Sequence, residues 1–244
     1  MDCSELLLPI REELDEVHKA VAEAVKRSGG IDYSVLQKDN IIEYNIRPAL
    51  VYAAAHLCGL DSASVVPVAK AVQFIFFATV VHDRAVKLED IACDDLKALI
   101  LLGDYLFSAS FRVLAEAGMQ QLLVPLSKVV CAECEAAVEP AKNGEIEPGV
   151  LKKESALLFG ECCRLPGMLA GVDFVDRIYA YGISLGMVYG CLKRKVSSFQ
   201  AAGYIKEARE ALLKLPLAPA RQQLKEALDL VTVSIAGLEA AATK

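Results

Sequence analysis

The stretch AVQFIFFATVVHDRAV, residues 71–86, decides the fold of this chain. It is apolar over most of its length, and its helical periodicity extends from about residue 63 to residue 87. Phe74, Phe76 and Phe77 read first as core packing, because aromatic clusters at this spacing usually fill a helix interface. The character changes at the end, where Asp83 is followed by Arg84 and, one turn on, Lys87. A lone carboxylate beside two cations is a poor divalent-metal site, since the cations repel the ion wherever water is partly excluded. An ion pair is the simpler role for Asp83. His82 and the upstream His56 fall in apolar helical segments, where a hydrogen-bonded core histidine is commoner than a catalyst.

Outward from this helix, nearly every segment between breakers has helical periodicity, and no alternating pattern with hairpin turns competes with it. Helices are expected near 6–27, 34–58, 63–87, 91–116, 119–138, 148–170, 173–198, 202–213 and 219–240. The breakers are Gly29-Gly30, Gly59 to Ser62, Ala117-Gly118, Asn143-Gly144 with Pro148, Gly171 to Asp173, and Leu215 to Pro219. None is long or polar enough to separate domains, so residues 1–244 are read as one all-α domain. Charge runs such as Glu12, Glu13, Asp15 and Glu16 mark solvated helix faces.

Composition narrows the function classes. The chain has 244 residues, 55% of them hydrophobic, with a mean hydropathy of +0.37. That is enough to bury a large core. Its longest apolar run, Val65 to Val81, is interrupted by Lys70 and falls short of the roughly 18 uncharged residues expected of a membrane span. No membrane-spanning segment is expected. The start, MDCSELLLPIREELDEV, lacks a signal or transit pattern, which makes the cytoplasm the expected location. A net charge of −6 and a pI near 5.2 argue against a nucleic-acid partner, which needs a basic footprint. Cys131 and Cys134 form a C-x-x-C, but on a helical pattern and without a second pair. The eight cysteines are therefore read as mostly buried, reduced thiols.

Motifs in order along the chain resemble those of trans-prenyl diphosphate synthases. Asn45 to Val51, NIRPALV, is similar to the family's G-K-x-R-P-x-L-V helix start, and residues 71–86 to the first aspartate-rich helix, roughly E-x-I-H-T-A-S-L-V-H-D-D-x-x-D. Leu102 to Phe107, LGDYLF, resembles G-D-Y-L-L. Ser155 to Gly171, SALLFGECCRLPGMLAG, resembles the helix that begins K-T-A-A-L and ends L-L-A-G. Tyr181, Gly182, Leu185, Gly186 and Tyr189 match F-G-x-x-L-G-x-A-F, and Glu207 to Glu226 resembles the terminal E-A-x-x-x-L-x-x-L-P region. The resemblance implies a multi-helix bundle of the isoprenoid synthase type around a central cavity.

The positions that carry the family's chemistry depart from its pattern. The first D-D-x-x-D reads Asp83, Arg84, Ala85, Val86, Lys87, which leaves Asp83 as a vestige of the metal motif. At the second motif, Q-x-x-D-D-x-x-D, the aligned residues are Gly190, Lys193, Arg194 and Ser197, with Lys195 between. The resemblance assigns the isopentenyl diphosphate site to a Lys and Arg in G-K-x-R-P and to a His. Arg47 is kept, while Tyr44 stands for the Lys and Phe76 for the His. The K-T pair aligns on Glu154 and Ser155, with Lys153 one residue out of register.

Chemistry in this family is activation of a diphosphate leaving group by Mg²⁺, so the protein's part is electrostatic and positional. Keeping the hydrophobic frame while losing the charged groups implies a pseudoenzyme: a subunit or regulator, homodimeric or paired with a catalytic prenyl synthase, needing no cofactor. Two other readings stand beside it. One is an active prenyltransferase condensing isopentenyl diphosphate with an allylic diphosphate through divergent Mg²⁺ ligands; the other is an isoprenoid-binding or lipid-binding protein without turnover. Arg47, Lys193, Arg194 and Lys195 are the candidate contacts for an isoprenoid diphosphate, since Arg and Lys recognise phosphate by charge-assisted hydrogen bonds. For the last three, pairing with Asp83 or a solvated helix end are equal alternatives. Phe76, Phe77 and Tyr189 are the candidate cavity walls.

Overall fold

A computed structural model describes residues 10–27, 41–87, 93–138, 147–194 and 198–242. Among the described residues the regular structure is helical: α1 (Arg11–Arg27), α2 (Ile41–Leu57), α3 (Val66–Lys87), α4 (Cys93–Glu116), α5 (Leu123–Val138), α6 (Pro148–Leu151), α7 (Leu157–Ala170), α8 (Val175–Lys193), α9 (Ser198–Leu213) and α10 (Pro219–Ala242). The expected residues 6–9, 34–40 and 91–92 lie outside the described residues.

α1 shows why the ends fall where they do. Glu12 and Glu13 open it and Lys26 and Arg27 close it, each sign opposing the helix dipole, while Leu14, Val17, Val21 and Ala24 form one buried stripe. α2 and α3 are buried on most sides, from Ile46 to Ala55 and from Val68 to Val81, so they form the centre of the bundle. α3 packs most extensively against α4, and α7 against α8.

Pro48 lies inside α2 and cannot donate to the Tyr44 carbonyl four residues back. Gln73 of α3 supplies the missing donor, its Nε2 lying 2.9 Å from that carbonyl oxygen. A buried backbone acceptor is thus satisfied across two helices, which fixes the register of α2 against α3. α2 and α4 end on the left-handed glycines Gly59 and Gly118, whose following residues donate back to Ala55 and Leu114 at 2.9 Å.

α7 and α8 meet through glycines. A Cβ at Gly182 would lie 2.6 Å from the Phe159 carbonyl oxygen, and one at Gly186 2.5 Å from Ala156 Cα. The Y-G-x-x-L-G spacing of α8 is therefore a backbone-to-backbone contact.

Three expectations are corrected. The helix expected over 148–170 is interrupted by a π-helical segment, Lys152–Ala156, between α6 and α7. A π turn holds one extra residue, so it turns neighbouring side chains to new directions. The helix expected over 173–198 stops at Lys193, and α9 begins at Ser198 rather than near 202; the break follows a basic last turn that the dipole favours at a C-terminus. Among the cysteines, Cys162, Cys163 and Cys191 are buried, but Cys131 and Cys134 are exposed on the outer face of α5. All six described thiols are free.

Two helices bear on the expected lack of a membrane-spanning segment. Ala63–Val86 and Asp95–Glu116 are each long and apolar enough to cross a membrane by length and composition. The uncharged-run criterion missed them because charges interrupt each, Lys70, Asp83 and Arg84 in the first and Lys97, Asp104 and Arg112 within the second. The most apolar part of Ala63–Val86 is 67% buried inside the bundle, which accounts for its composition as a core helix.

Candidate functional site

Five parts of the chain converge on one cavity: Arg47 from α2; Phe76, Thr79, Val80 and Asp83 from α3; Glu133 from α5; Glu154, Ser155 and Leu158 from the π segment and α7; and Tyr189 and Lys193 from α8. Its volume is about 20 Å³. One water needs about 10–15 Å³ on this measure, and small-molecule pockets run to roughly 300–1,000 Å³. The cavity is closed to anything larger than a water.

What fills it is Arg47. Its guanidinium carbon sits 3.7 Å above the centre of the Phe76 ring and 5.0 Å from those of Phe159 and Tyr189. The residue is buried, and three aromatic faces surround its cation. Phe76 packs on Phe77 at a tilt of 50°, with ring centres 5.3 Å apart, and Phe159 on Tyr189 at 4.9 Å. Phe77 is fully buried, and it packs on Tyr44 and Phe76 instead of lining the cavity. Of the three expected wall residues, Phe76 and Tyr189 are at the cavity and Phe77 is one layer behind.

The polar groups are engaged by protein. The Thr79 hydroxyl donates to a Glu133 carboxylate oxygen at 2.8 Å. Burial pushes the Glu133 carboxyl up to about 7, with Thr79, Arg47 and Lys193 pulling the other way. Arg194 donates from one guanidinium nitrogen, Nη2, to both carboxylate oxygens of Glu154, a charge-assisted contact. Lys153, beside Glu154 on the π segment, points elsewhere and pairs with Glu135 at 3.2 Å. The π turn thus separates the two: Glu154 and Ser155 reach the cavity, and Lys153 the outer face of α5. Lys193 lies at the cavity mouth with an exposed side chain. Lys195 and Ser197 lie outside the described residues.

Asp83 lines the same cavity as Glu133 and Glu154, yet no three His, Cys, Asp or Glu among the described residues are grouped so that they could hold a metal ion. Glu133 is turned to Thr79 and Glu154 to Arg194, and two basic residues share the space. This donor set does not fit a pair of divalent cations. His82 sits outside the cavity: its Nε2 is 3.2 Å from the Ile100 carbonyl oxygen and 3.4 Å from an Asp104 carboxylate oxygen. Gly103 makes room for the ring, as a Cβ there would fall 2.1 Å from Nε2. His56 pairs with Ser62 at 3.1 Å.

Glu133 and Thr79 are the site residues that sequence reasoning missed, while Glu154 was placed only as the residue aligned on the K-T lysine. A signal for Glu133 existed. It lies four residues after Val129 and seven after Leu126, on the buried stripe of α5, where an acid is out of place.

A helical bundle closed around such a cavity is a fold of the isoprenoid synthase type. No protein-family profile matches the chain. By sequence it is 29% identical over 161 residues to heptaprenyl diphosphate synthase component 2 of Geobacillus stearothermophilus, and 27% identical over 161 residues to octaprenyl diphosphate synthase of Escherichia coli K12. Each match covers 59% of this chain and 50% of the relative, so it spans about half the length of these relatives. By fold it is similar to a decaprenyl diphosphate synthase from Rhodobacter capsulatus, with a TM-score of 0.77, 20% identity, and coverage of 95% of this chain and 98% of that one. The relatives named here are prenyl diphosphate synthases, and the chain is similar to them in sequence and shares the fold of a solved decaprenyl diphosphate synthase.

Proposed function

We propose that this chain is a catalytically inactive member of the prenyl synthase family, acting in isoprenoid biosynthesis as a subunit or regulator of an active synthase. The observation that carries the reading is the stacking of Arg47 on Phe76 in a cavity of about 20 Å³. A working site needs an open cleft for an allylic chain and cationic groups aimed at diphosphate. Here the surviving arginine is folded into an aromatic cage, Arg194 is committed to Glu154, Glu133 is engaged by Thr79, and Asp83 shares the cavity with Arg47 and Lys193. On this reading these charges hold the bundle together, and the cavity volume gives no support to a central lipid-binding pocket.

The partner role draws on two further facts. One relative is named as component 2 of a synthase. The chain also leaves Ile100 and Leu101 on α4 and Val124 on α5 exposed, apolar side chains of the kind a helical subunit interface covers. Dimerisation, with itself or with a catalytic chain, and a cytoplasmic location belong to the same proposal.

The test is a Mg²⁺-dependent prenyltransfer assay with isopentenyl and allylic diphosphates, run on the pure chain and on the chain mixed with a catalytic homologue from the same cell. The expected result is no product alone and an altered rate or product length in the mixture. Turnover by the pure chain that scales with its concentration would sink the proposal.

A further inference from the structure

A second concavity lies away from the central cavity, between the facing sides of α9 and α10 and the turn that joins them, with a volume of about 400 Å³. That is within the range of pockets that take small molecules and twenty times the central one. Its walls have two characters. Leu212 and Leu228 are buried at its base, while Leu213 and Leu217 stand at its edge, 72% and 86% exposed. Arg209, Arg221 and Lys225 also line it, opposed by one acid, Asp229.

The arrangement follows from helical spacing. On α10, Arg221, Lys225 and Leu228 succeed one another at four and three residues, and on α9 Arg209 and Leu212 at three, so each helix gives the groove one face that carries both basic and apolar side chains. The lining carries three cations and one anion in a chain whose net charge is −6. Asp229 offsets Lys225 only weakly, at 3.7 Å and near solvent. Arg221 is tied at one nitrogen to the Leu215 carbonyl, 3.2 Å away, which fixes the turn and presents its charge at the groove.

We propose that this groove binds a single-chain anionic amphiphile, its phosphate or carboxylate head on Arg209, Arg221 and Lys225 and its hydrocarbon chain along Leu212, Leu217 and Leu228. Exposed leucines beside basic side chains are complementary in both charge and polarity to such a molecule, and to neither a neutral lipid nor a free anion. The site is separate from the central cavity and does not depend on whether the chain is catalytic.

Titration calorimetry of the purified chain with dodecyl phosphate below its micelle-forming concentration tests this. Dodecyl maltoside supplies the chain without the charge, and inorganic phosphate the charge without the chain. Saturable binding at one site is expected, at least tenfold tighter than either control. The double variant Arg209→Glu, Lys225→Glu should weaken it about 25-fold or more, each reversal removing an attraction worth roughly fivefold and adding repulsion. Leu217→Asp should weaken it as well; circular dichroism and urea midpoints check that both variants keep the fold. If Leu217→Asp unfolds, the charge variant decides. Equal affinity for dodecyl maltoside, no loss in the charge variant, no binding of monomeric dodecyl phosphate, or binding only to phosphatidylglycerol vesicles would each overturn the assignment.

Discussion

Glu133→Gln isolates the electrostatic cost of the closed cavity. The carboxyl is buried and its proton is held up to about 7, against an ordinary 4.5. At about 1.36 kcal/mol per pH unit, that rise is a preference of about 3 kcal/mol for the protonated form in the folded chain. The groups that face it are Thr79 on α3, which donates to it, and Arg47 on α2 and Lys193 on α8, whose charges fall short of repaying desolvation. Between pH 4.5 and 7 the folded chain holds a proton that the unfolded chain releases. Stability therefore falls as pH rises through that window and levels off above it. Glutamine keeps an oxygen to accept from Thr79 and cannot ionise. Urea unfolding from pH 5 to 8.5 should give two curves that nearly meet at the acid end. They should diverge until Glu133→Gln is more stable by about 3 kcal/mol at pH 8, a large share of the roughly 5–15 kcal/mol of a typical domain. A difference that stays flat across the range would refute both the burial of the charge and the argument that Arg47 is spent on aromatic rings.

Three other outcomes follow from the packing. Phe76→Ala should cost about 3–5 kcal/mol in chemical denaturation, because it removes a buried ring and the face on which Arg47 rests. Gly186→Ala should cost at least about 1–3 kcal/mol in the same assay, since the new Cβ would meet the Ala156 backbone at 2.5 Å and only a shift of α8 from α7 relieves it. Maleimide labelling of the native chain, read by mass spectrometry, should modify Cys131 and Cys134 well before Cys162 and Cys163. The latter pair is buried, and burial pushes the Cys162 thiol up to about 12.

The fold was legible because each level of the sequence agreed. The apolar stripe of α1 carries acids at its start and bases at its end, the glycines expected to break helices at 59, 118 and 171 adopt left-handed conformations, and the Gly182 and Gly186 spacing marks a close helix crossing. What periodicity could not give was the interruption at residues 152–156. A π turn hides inside an otherwise helical pattern, because its extra residue leaves composition unchanged. That single turn decides which of Lys153 and Glu154 faces the cavity, and a one-residue ambiguity of register is what the sequence alignment left at this point. The break after Lys193 was missed for a related reason: basic residues continue helices as readily as they end them.

The site was legible in its residues and illegible in its contacts. Reading Arg47 as a kept diphosphate ligand and Phe76 as a lost histidine treats them as two separate changes, one conserved and one damaged. In three dimensions they are one change, because the ring lies 3.7 Å under the guanidinium. A histidine there would be polar and would repel the arginine when protonated; phenylalanine offers a negative face that holds the cation and excludes water. With Phe76 in place, Arg47 rests on the ring, and Glu133 across the cavity attracts its charge at the cost of its own desolvation. On the proposed reading, phenylalanine in place of one substrate ligand also withdraws the other. This is why counting surviving motif residues overstates what this cavity retains, and why its remaining charges bear on stability.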